Sequence, residues 1–291
     1  MTIIAGFSSS RQSAAPLQLA AQVARSTGEK VIAAAIVERA FPPRDDPVER
    51  EYLRYVSAQA QKSLERVVEQ LPADQDIPIV VHQSTSIPTG LMELVEENGA
   101  SLAVVGSSSA GLLGRIGLGS VTERLVHTAA VPVAIAPRGY APGSEPIRML
   151  TAAYGGGADV NGLIPAAAEL ATAWSVPLRI VSFTVRPVGG SIEPAAESLV
   201  VQQWSKRTFD DIVTKLNAVR ERLAVPDVEV VVGSGRDWRE AVEAVPWASG
   251  DILLMGSGAA GPLARVFLGS AASKIVRHVP VPVMIVPRHR K

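Results

Sequence analysis

The sequence predicts an α/β protein built as two tandem doubly wound domains, each a parallel sheet of five strands in a Rossmann-like, flavodoxin-like arrangement. Three observations predict it. Short apolar runs alternate with segments of helical spacing along the whole chain. The runs are apolar throughout instead of alternating with polar residues, as strands covered on both faces are. The pattern also occurs twice. Residues 106–120 read GSSSAGLLGRIGLGS and residues 256–270 read GSGAAGPLARVFLGS, 150 positions apart. Arg115 matches Arg265, Leu118 matches Leu268, Pro132 matches Pro282 and Arg138 matches Arg288. The closing segments VPVAIAPR and VPVMIVPR differ at two positions. A period this long means two copies of a domain, not a solenoid of small units. The chain has 291 residues, room for two domains of ~150 residues. The expected domains are 1–140 and 147–291. The linker is GYAPGSEP, about 139–146, which holds two glycines and two prolines and no periodicity.

In the first copy TIIAGF is the first strand. PLQLAAQVARSTG has helical spacing and stops on Gly28. VIAAAIV is the second strand, and the proline-rich FPPRDDP a loop. A long helix follows from about Val48 to Leu71, with Tyr52, Val56, Ala60, Leu64, Val67 and Leu71 as its inward stripe. IPIVVHQ is the third strand; Ser84-Thr85-Ser86 before Ile87-Pro88 is a helix entry, leading into LMELVEENG. LAVVG, SVTERLVHTA and VPVAIAP complete the copy. The second copy repeats the order: RMLTAAY, LIPAAAELATAW, LRIVSFTV, a long helix between about Ala195 and Leu223, VEVVVG, REAVEAVPWAS, DILLMG, SAASKIVRHV and VPVMIVP. Its long helix should point Val201, Trp204, Ile212, Leu216 and Val219 inward.

Hydrophobic residues make up 47% and charged residues 19% of the chain, so two packed cores are available. Lys plus Arg equal Asp plus Glu at 28 each, so no global field steers the chain to nucleic acid or an anionic membrane. There is no cysteine, which removes disulfides, thiolate metal sites and cysteine nucleophiles. MTIIAGFSSSRQS reads as a first strand and not a signal peptide. No apolar stretch approaches the ~20 residues that span a bilayer. A cytoplasmic location is expected.

Each glycine loop leaves a strand and enters a helix. A helix N-terminus offers unpaired N–H groups and partial positive charge, which suit phosphate. Ser120 and Ser270 could donate to a phosphate oxygen. Serine is equally a preferred N-cap, and Ser120-Val-Thr-Glu123 has the form of a capping box. Neither loop holds GK[ST] or GxGxxG, so as isolated motifs they are weak.

A strand leading into Gly-Ser, some ten residues, Gly-Ser opening a helix and a VPV strand together resemble the universal stress protein family. Present twice, the arrangement resembles a tandem member over nearly the whole chain. ATP-binding members carry G-x2-G-x9-G-[ST] after strand four and an aspartate at the end of strand one. By that resemblance the first copy's nucleotide site would comprise Ser8, Ile36, Gly106, Ser107, Ser109, Gly119, Ser120, Val121 and Thr122. The second copy's would comprise Gly256, Ser257, Ala259, Gly269 and Ser270. The chain departs from the motif in both copies. The middle glycine is Ser109 in one and Ala259 in the other. The acidic position falls on Ser8 in the first copy and on Tyr154 in the second, with Asp159 nearby. A Cβ in the loop obstructs close approach of phosphate. Loss of the carboxylate removes a partner for a ribose hydroxyl or a metal.

No residue pattern points to catalysis or to a bound metal. His82, His127, His278 and His289 lack partners at metal-ligand spacing, and His127 and His278 fall where a cation suits a helix C-terminus. No GxSxG occurs. Asp45-Asp46 sits in a loop and Asp210-Asp211 on an exposed helix face. The tryptophans Trp174, Trp204, Trp238 and Trp247 read as packing residues. Three functions stay open. The first is a non-catalytic stress-response protein that acts by protein association, with weakened or lost ATP binding and no cofactor. In it the closing strands pair inside the chain as a pseudo-dimer, as the resemblance implies, and a homodimer is open. The second is an ATP-binding sensor or slow ATPase using the first copy. The third is a small-molecule carrier with a repurposed cleft.

Overall fold

In the first copy each apolar run becomes a strand, and each turn signal places the helix after it. Strands β1 (Thr2–Phe7), β2 (Lys30–Glu38), β3 (Ile79–Ser84), β4 (Ala100–Gly106) and β5 (Val133–Ala136) alternate with α1 (Ala15–Thr27), α2 (Pro47–Val68), α3 (Ile87–Glu97) and α4 (Ser120–Thr128). The computed structural model describes residues 1–8, 12–39, 46–72, 76–108, 112–155, 162–185, 194–222, 225, 227–256 and 270–287, with backbone alone over 194–201. Two compact units divide the chain, Met1–Pro146 and Ile147–Lys291.

The strand order in the first unit is β3-β2-β1-β4-β5. All its pairs are parallel, for example Ile3 opposite Val31 and Leu102, and Gly106 opposite Ala136. The order reverses between β1 and β4, so their carboxyl ends diverge and leave a crevice there. Ile3, Ile4, Val104 and Ile135 are completely buried between the helical layers. Gly28 ends α1 in the left-handed conformation (φ 71°), its N–H bonded to the Ala24 carbonyl. Asp46 caps α2 by accepting from the Val48 N–H (2.8 Å), and Ser86 caps α3 by accepting from the Thr89 N–H (3.3 Å).

The second unit repeats the order with β6 (Met149–Ala153), α5 (Leu163–Trp174), β7 (Leu178–Val185), α6 (Pro194–Arg220), β8 (Val228–Gly235), α7 (Trp238–Glu243), β9 (Asp251–Gly256), α8 (Ser270–His278) and β10 (Val283–Val286). Its strand order is β8-β7-β6-β9-β10, again parallel in each pair described.

Two details correct the sequence reading. Tyr52 is 63% exposed and Trp204 50% exposed, while Ala60, Leu64, Ile212 and Leu216 are buried. The apolar spacing thus marks a buried stripe only in the later turns of α2 and α6. Val201 lies outside the described side chains. Helix α7 is shorter than REAVEAVPWAS because Pro246 disfavours helical geometry at the preceding residue. The Val242 carbonyl accepts from the Val245 N–H (3.2 Å) and from the Trp247 indole (2.8 Å). Within the first unit, residues 140–146 are strapped to α1. Tyr140 Oη donates to Gln22 Oε1 (2.6 Å), Gln22 Nε2 to the Pro146 carbonyl (3.4 Å) and Arg25 to the Gly143 carbonyl (2.8 Å). These bonds satisfy Gln22, which is fully buried.

Candidate functional site

In the first unit the crevice between the β1 and β4 exits is a cavity of about 210 Å³. Seven of its wall residues, Ser8, Ile36, Gly106, Ser107, Gly119, Ser120 and Val121, are sequence-predicted site residues, and Thr122 is an eighth. Ser109 lies outside the described residues. The remaining wall comes from Gly6, Phe7, Ser13, Pro16, Ile87, Leu91, Val105 and Ser108. Ile87 and Leu91 belong to α3 and Pro16 to α1, so the site draws on both helical layers. Spacing within one loop could not name them. None of these described wall residues carries a charged side chain.

Reciprocal bonds shape the glycine loop. The Gly117 N–H donates to Ser107 Oγ (2.8 Å), and the Ser108 N–H donates to the Gly117 carbonyl (2.7 Å). The Gly114 N–H reaches the Arg138 carbonyl (2.9 Å), and the Arg138 N–H the Arg115 carbonyl (3.1 Å). Ile116, buried between these clamps, is the loop's apolar anchor. Ser107 is therefore a loop-closing residue as well as a wall residue.

The capping box does not form. Gly119 is the N-cap of α4, with extended backbone (φ −109°, ψ 168°), and no side chain caps the helix. The Glu123 N–H bonds to the Gly119 carbonyl (2.8 Å), so Ser120 is already inside the first turn. Its exposed hydroxyl is thereby left to the cavity rim. A Cβ on Gly119 would stand 3.1 Å from Ser108 Cβ, so glycine here permits the helix start to close on the β4 exit.

Strand register also moves the acidic position of the second copy. Ile3 pairs with Leu102 in β1–β4, and Leu150 pairs with Ile252 in β6–β9. Leu102 stands four residues before Gly106, as Ile252 does before Gly256, so Leu150 is the counterpart of Ile3. Tyr154 is then the counterpart of Phe7, and Gly155 that of Ser8. A shift of one residue changes the face of the sheet. Tyr154 is 5% exposed and Phe7 6%. The Tyr154 ring is a core residue whose hydroxyl donates to Asp211 Oδ2 and accepts from Lys215 Nζ, both on α6. Lys215 Nζ also lies 4.8 Å from the ring centroid. Burial pushes the Tyr154 phenol above its ordinary value, with the bond to Asp211 adding to it. That same bond holds the Asp211 carboxyl below the usual range. Desolvation opposes the Lys215 charge, but its bonds to Tyr154 and Asp211 prevail and hold its pKa above normal. Asp211, read from sequence as surface, is thus half of a tertiary contact. Asp159 lies outside the described residues.

In the second unit Gly256 ends β9 and Ser270 opens α8, where it is exposed. Ser257, Ala259 and Gly269 lie outside the described residues. Elsewhere, His82 Nε2 lies 2.7 Å from Glu93 Oε2, a contact that holds the Glu93 carboxyl below its ordinary value. Among the described residues no helix is long and apolar enough to cross a membrane.

The model of the Universal stress protein family matches residues 1–137 and 151–287. Universal stress proteins of Mycobacterium bovis and Mycobacterium tuberculosis are each 31% identical over 296 residues, covering 99% of this chain and all of theirs. A crystal structure of a universal stress protein from Archaeoglobus fulgidus is similar in fold, with TM-score 0.59 at 16% identity, over 99% of this chain and 98% of that one. One from Pseudomonas aeruginosa has TM-score 0.57 at 14% identity, over 99% and 93%. Two family matches, each carrying its own strand-loop-helix frame, lead to one conclusion: the chain belongs to the universal stress protein family, as a tandem member with two such domains.

Proposed function

We propose that this chain is a non-catalytic stress-response protein that acts through protein association, with ATP binding weakened or lost. The observation that supports this is the uncharged wall of the first unit's cavity. A nucleoside triphosphate brings several negative charges and a ribose. Burying such charge without cationic partners is costly. The N-terminus of α4 offers only about half a unit of positive charge. Ser8 supplies no carboxylate for the ribose. The closing segments, which contain β5 and β10, are terminal in the strand orders of their own units, and we propose that they pair within the chain. A homodimer through other surfaces and a cytoplasmic location belong to the same reading.

One observation favours a second reading, an ATP-binding sensor or slow ATPase. The Ser120 hydroxyl is not consumed by capping and lines the cavity. The test is to purify the chain without nucleotide, analyse any retained ligand, and titrate ATP with magnesium. The first reading expects no rise in melting temperature at millimolar ATP. Micromolar binding would instead stabilise the protein by about 2.7 kcal/mol at a hundredfold excess over Kd. Such binding, abolished by Gly119→Val, would establish the second reading.

A further inference from the structure

We infer that the first unit's cavity takes a small ligand with an apolar body and a single oxyanion head, a carboxylic acid or a phosphate monoester, and that Ser108 is the residue that selects it. The inference rests on the reading above that this cleft no longer serves ATP. It starts from an unexplained polar atom. Ser108 is 7% exposed, and its Oγ is shut off from solvent without a hydrogen-bond partner, although its own N–H is bonded to Gly117. An orphaned buried hydroxyl destabilises a fold. This one belongs to the cavity wall, with Ser108 Cβ against the N-cap Gly119 of α4. Rotation about one bond among three staggered positions turns the hydroxyl toward an acceptor placed there.

The cavity is divided by chemistry. Ile36, Ile87, Leu91 and Val105 form an apolar wall. The lining also includes Ser108, Ser120 and the first turn of α4, whose leading N–H groups have no intrahelical partner. One oxyanion matches the partial charge of that helix end; a triphosphate exceeds it. The apolar wall suits a hydrocarbon body, and the 210 Å³ volume is below the ~300–1,000 Å³ of pockets that enclose drug-sized ligands.

The experiment is calorimetric titration of the intact chain with octanoate, octyl phosphate, inorganic phosphate and ATP, repeated on Ser108→Ala. Melting of both proteins without ligand is measured alongside. The expected result is binding of at least one octyl compound and weaker binding of inorganic phosphate and ATP. Ser108→Ala should weaken the octyl compound roughly tenfold, as loss of a hydrogen bond to a charged group does. It should leave the unliganded melting temperature unchanged or raised, which a structural serine would not. Absence of octyl binding, or octyl binding indifferent to Ser108→Ala, overturns the inference and leaves the association reading standing. ATP bound more tightly than either octyl compound overturns both.

Discussion

Tyr154→Phe, set against Tyr154→Ala, separates the hydroxyl's bonds to α6 from the burial of the ring. The structure places the ring where the first copy has Phe7, so phenylalanine fits that position. Only the hydroxyl and its bonds to Asp211 and Lys215 are lost. Those side chains are 45% and 28% exposed and keep their mutual contact at 3.3 Å, so water replaces much of what is removed. The expected loss is about 1 kcal/mol, the lower end for bonds to charged groups. That is about 2–4 °C in melting temperature for a domain of this size. Tyr154→Ala also removes a buried ring and should cost about 3–5 kcal/mol. The assay is urea unfolding followed by tryptophan fluorescence. All four tryptophans lie after residue 173, so the signal reports on the second unit. The sign of the pH dependence follows from Asp211. Its carboxyl is held low in the folded protein, so the stability it contributes is present above its ordinary value and lost as pH falls through its folded one. The gap between wild type and Tyr154→Phe should therefore narrow in acid. Tyr154→Phe losses equal to those of Tyr154→Ala, or ATP binding gained only by Tyr154→Ala, would refute this placement.

Gly90→Ala should destabilise the first unit by about 1–3 kcal/mol despite alanine's helix propensity, because the added Cβ would lie 2.8 Å from Ile36 Cγ2 and 2.9 Å from Ser84 Cβ. Faster amide exchange in β2 and α3 is the readout. Arg179→Leu should cost about 3–5 kcal/mol by leaving Asp251 without its cation. Arg179 donates to Asp251 (3.2 Å) and Glu229 (2.7 Å), and the Arg179 and Asp251 side chains are only 7% and 3% exposed. Burial already pushes the Asp251 carboxyl up, so the loss should be larger at neutral pH than in acid, as unfolding scans at both pH values would record. Glu240 is pushed down to about 2 by the Arg236 guanidinium, so Arg236→Ala should return its titration toward the ordinary 4.5. The stability contributed by that pair is present above 4.5 and lost as pH falls toward 2, which a carboxyl-detected NMR titration follows.

The repeat, the alternation of strand and helix and half of the residues that line the first cleft are legible in the sequence. Helix α5 and strand β7 fall on the segments read for them, LIPAAAELATAW and LRIVSFTV. Apolar runs bounded by turn residues are local signals, and burial on both faces leaves them little freedom. Ser8, Ile36, Gly106 and Gly119 meet in one cavity because strand ends and helix starts converge at the topological switch point of this fold. Tyr52 and Trp204 misled the helix reading because apolar spacing marks a face without saying which turns of it are covered.

What the sequence determined by itself was therefore the architecture: two copies, five strands each, and a loop frame in both. Tertiary structure decided which side chains that frame brings together. Ser120 carries a capping pattern, yet the extended backbone of Gly119 took the cap and left the hydroxyl to the cavity. Tyr154 aligned with Ser8 on the letters, yet hydrogen-bond register made it the counterpart of Phe7, with its hydroxyl bonded to α6. Ser108 was one serine among three until burial showed its hydroxyl without a partner. Local propensity acts between near neighbours in the chain. Register, burial and satisfaction of polar atoms depend on residues tens of positions away, and only the folded chain brings those together.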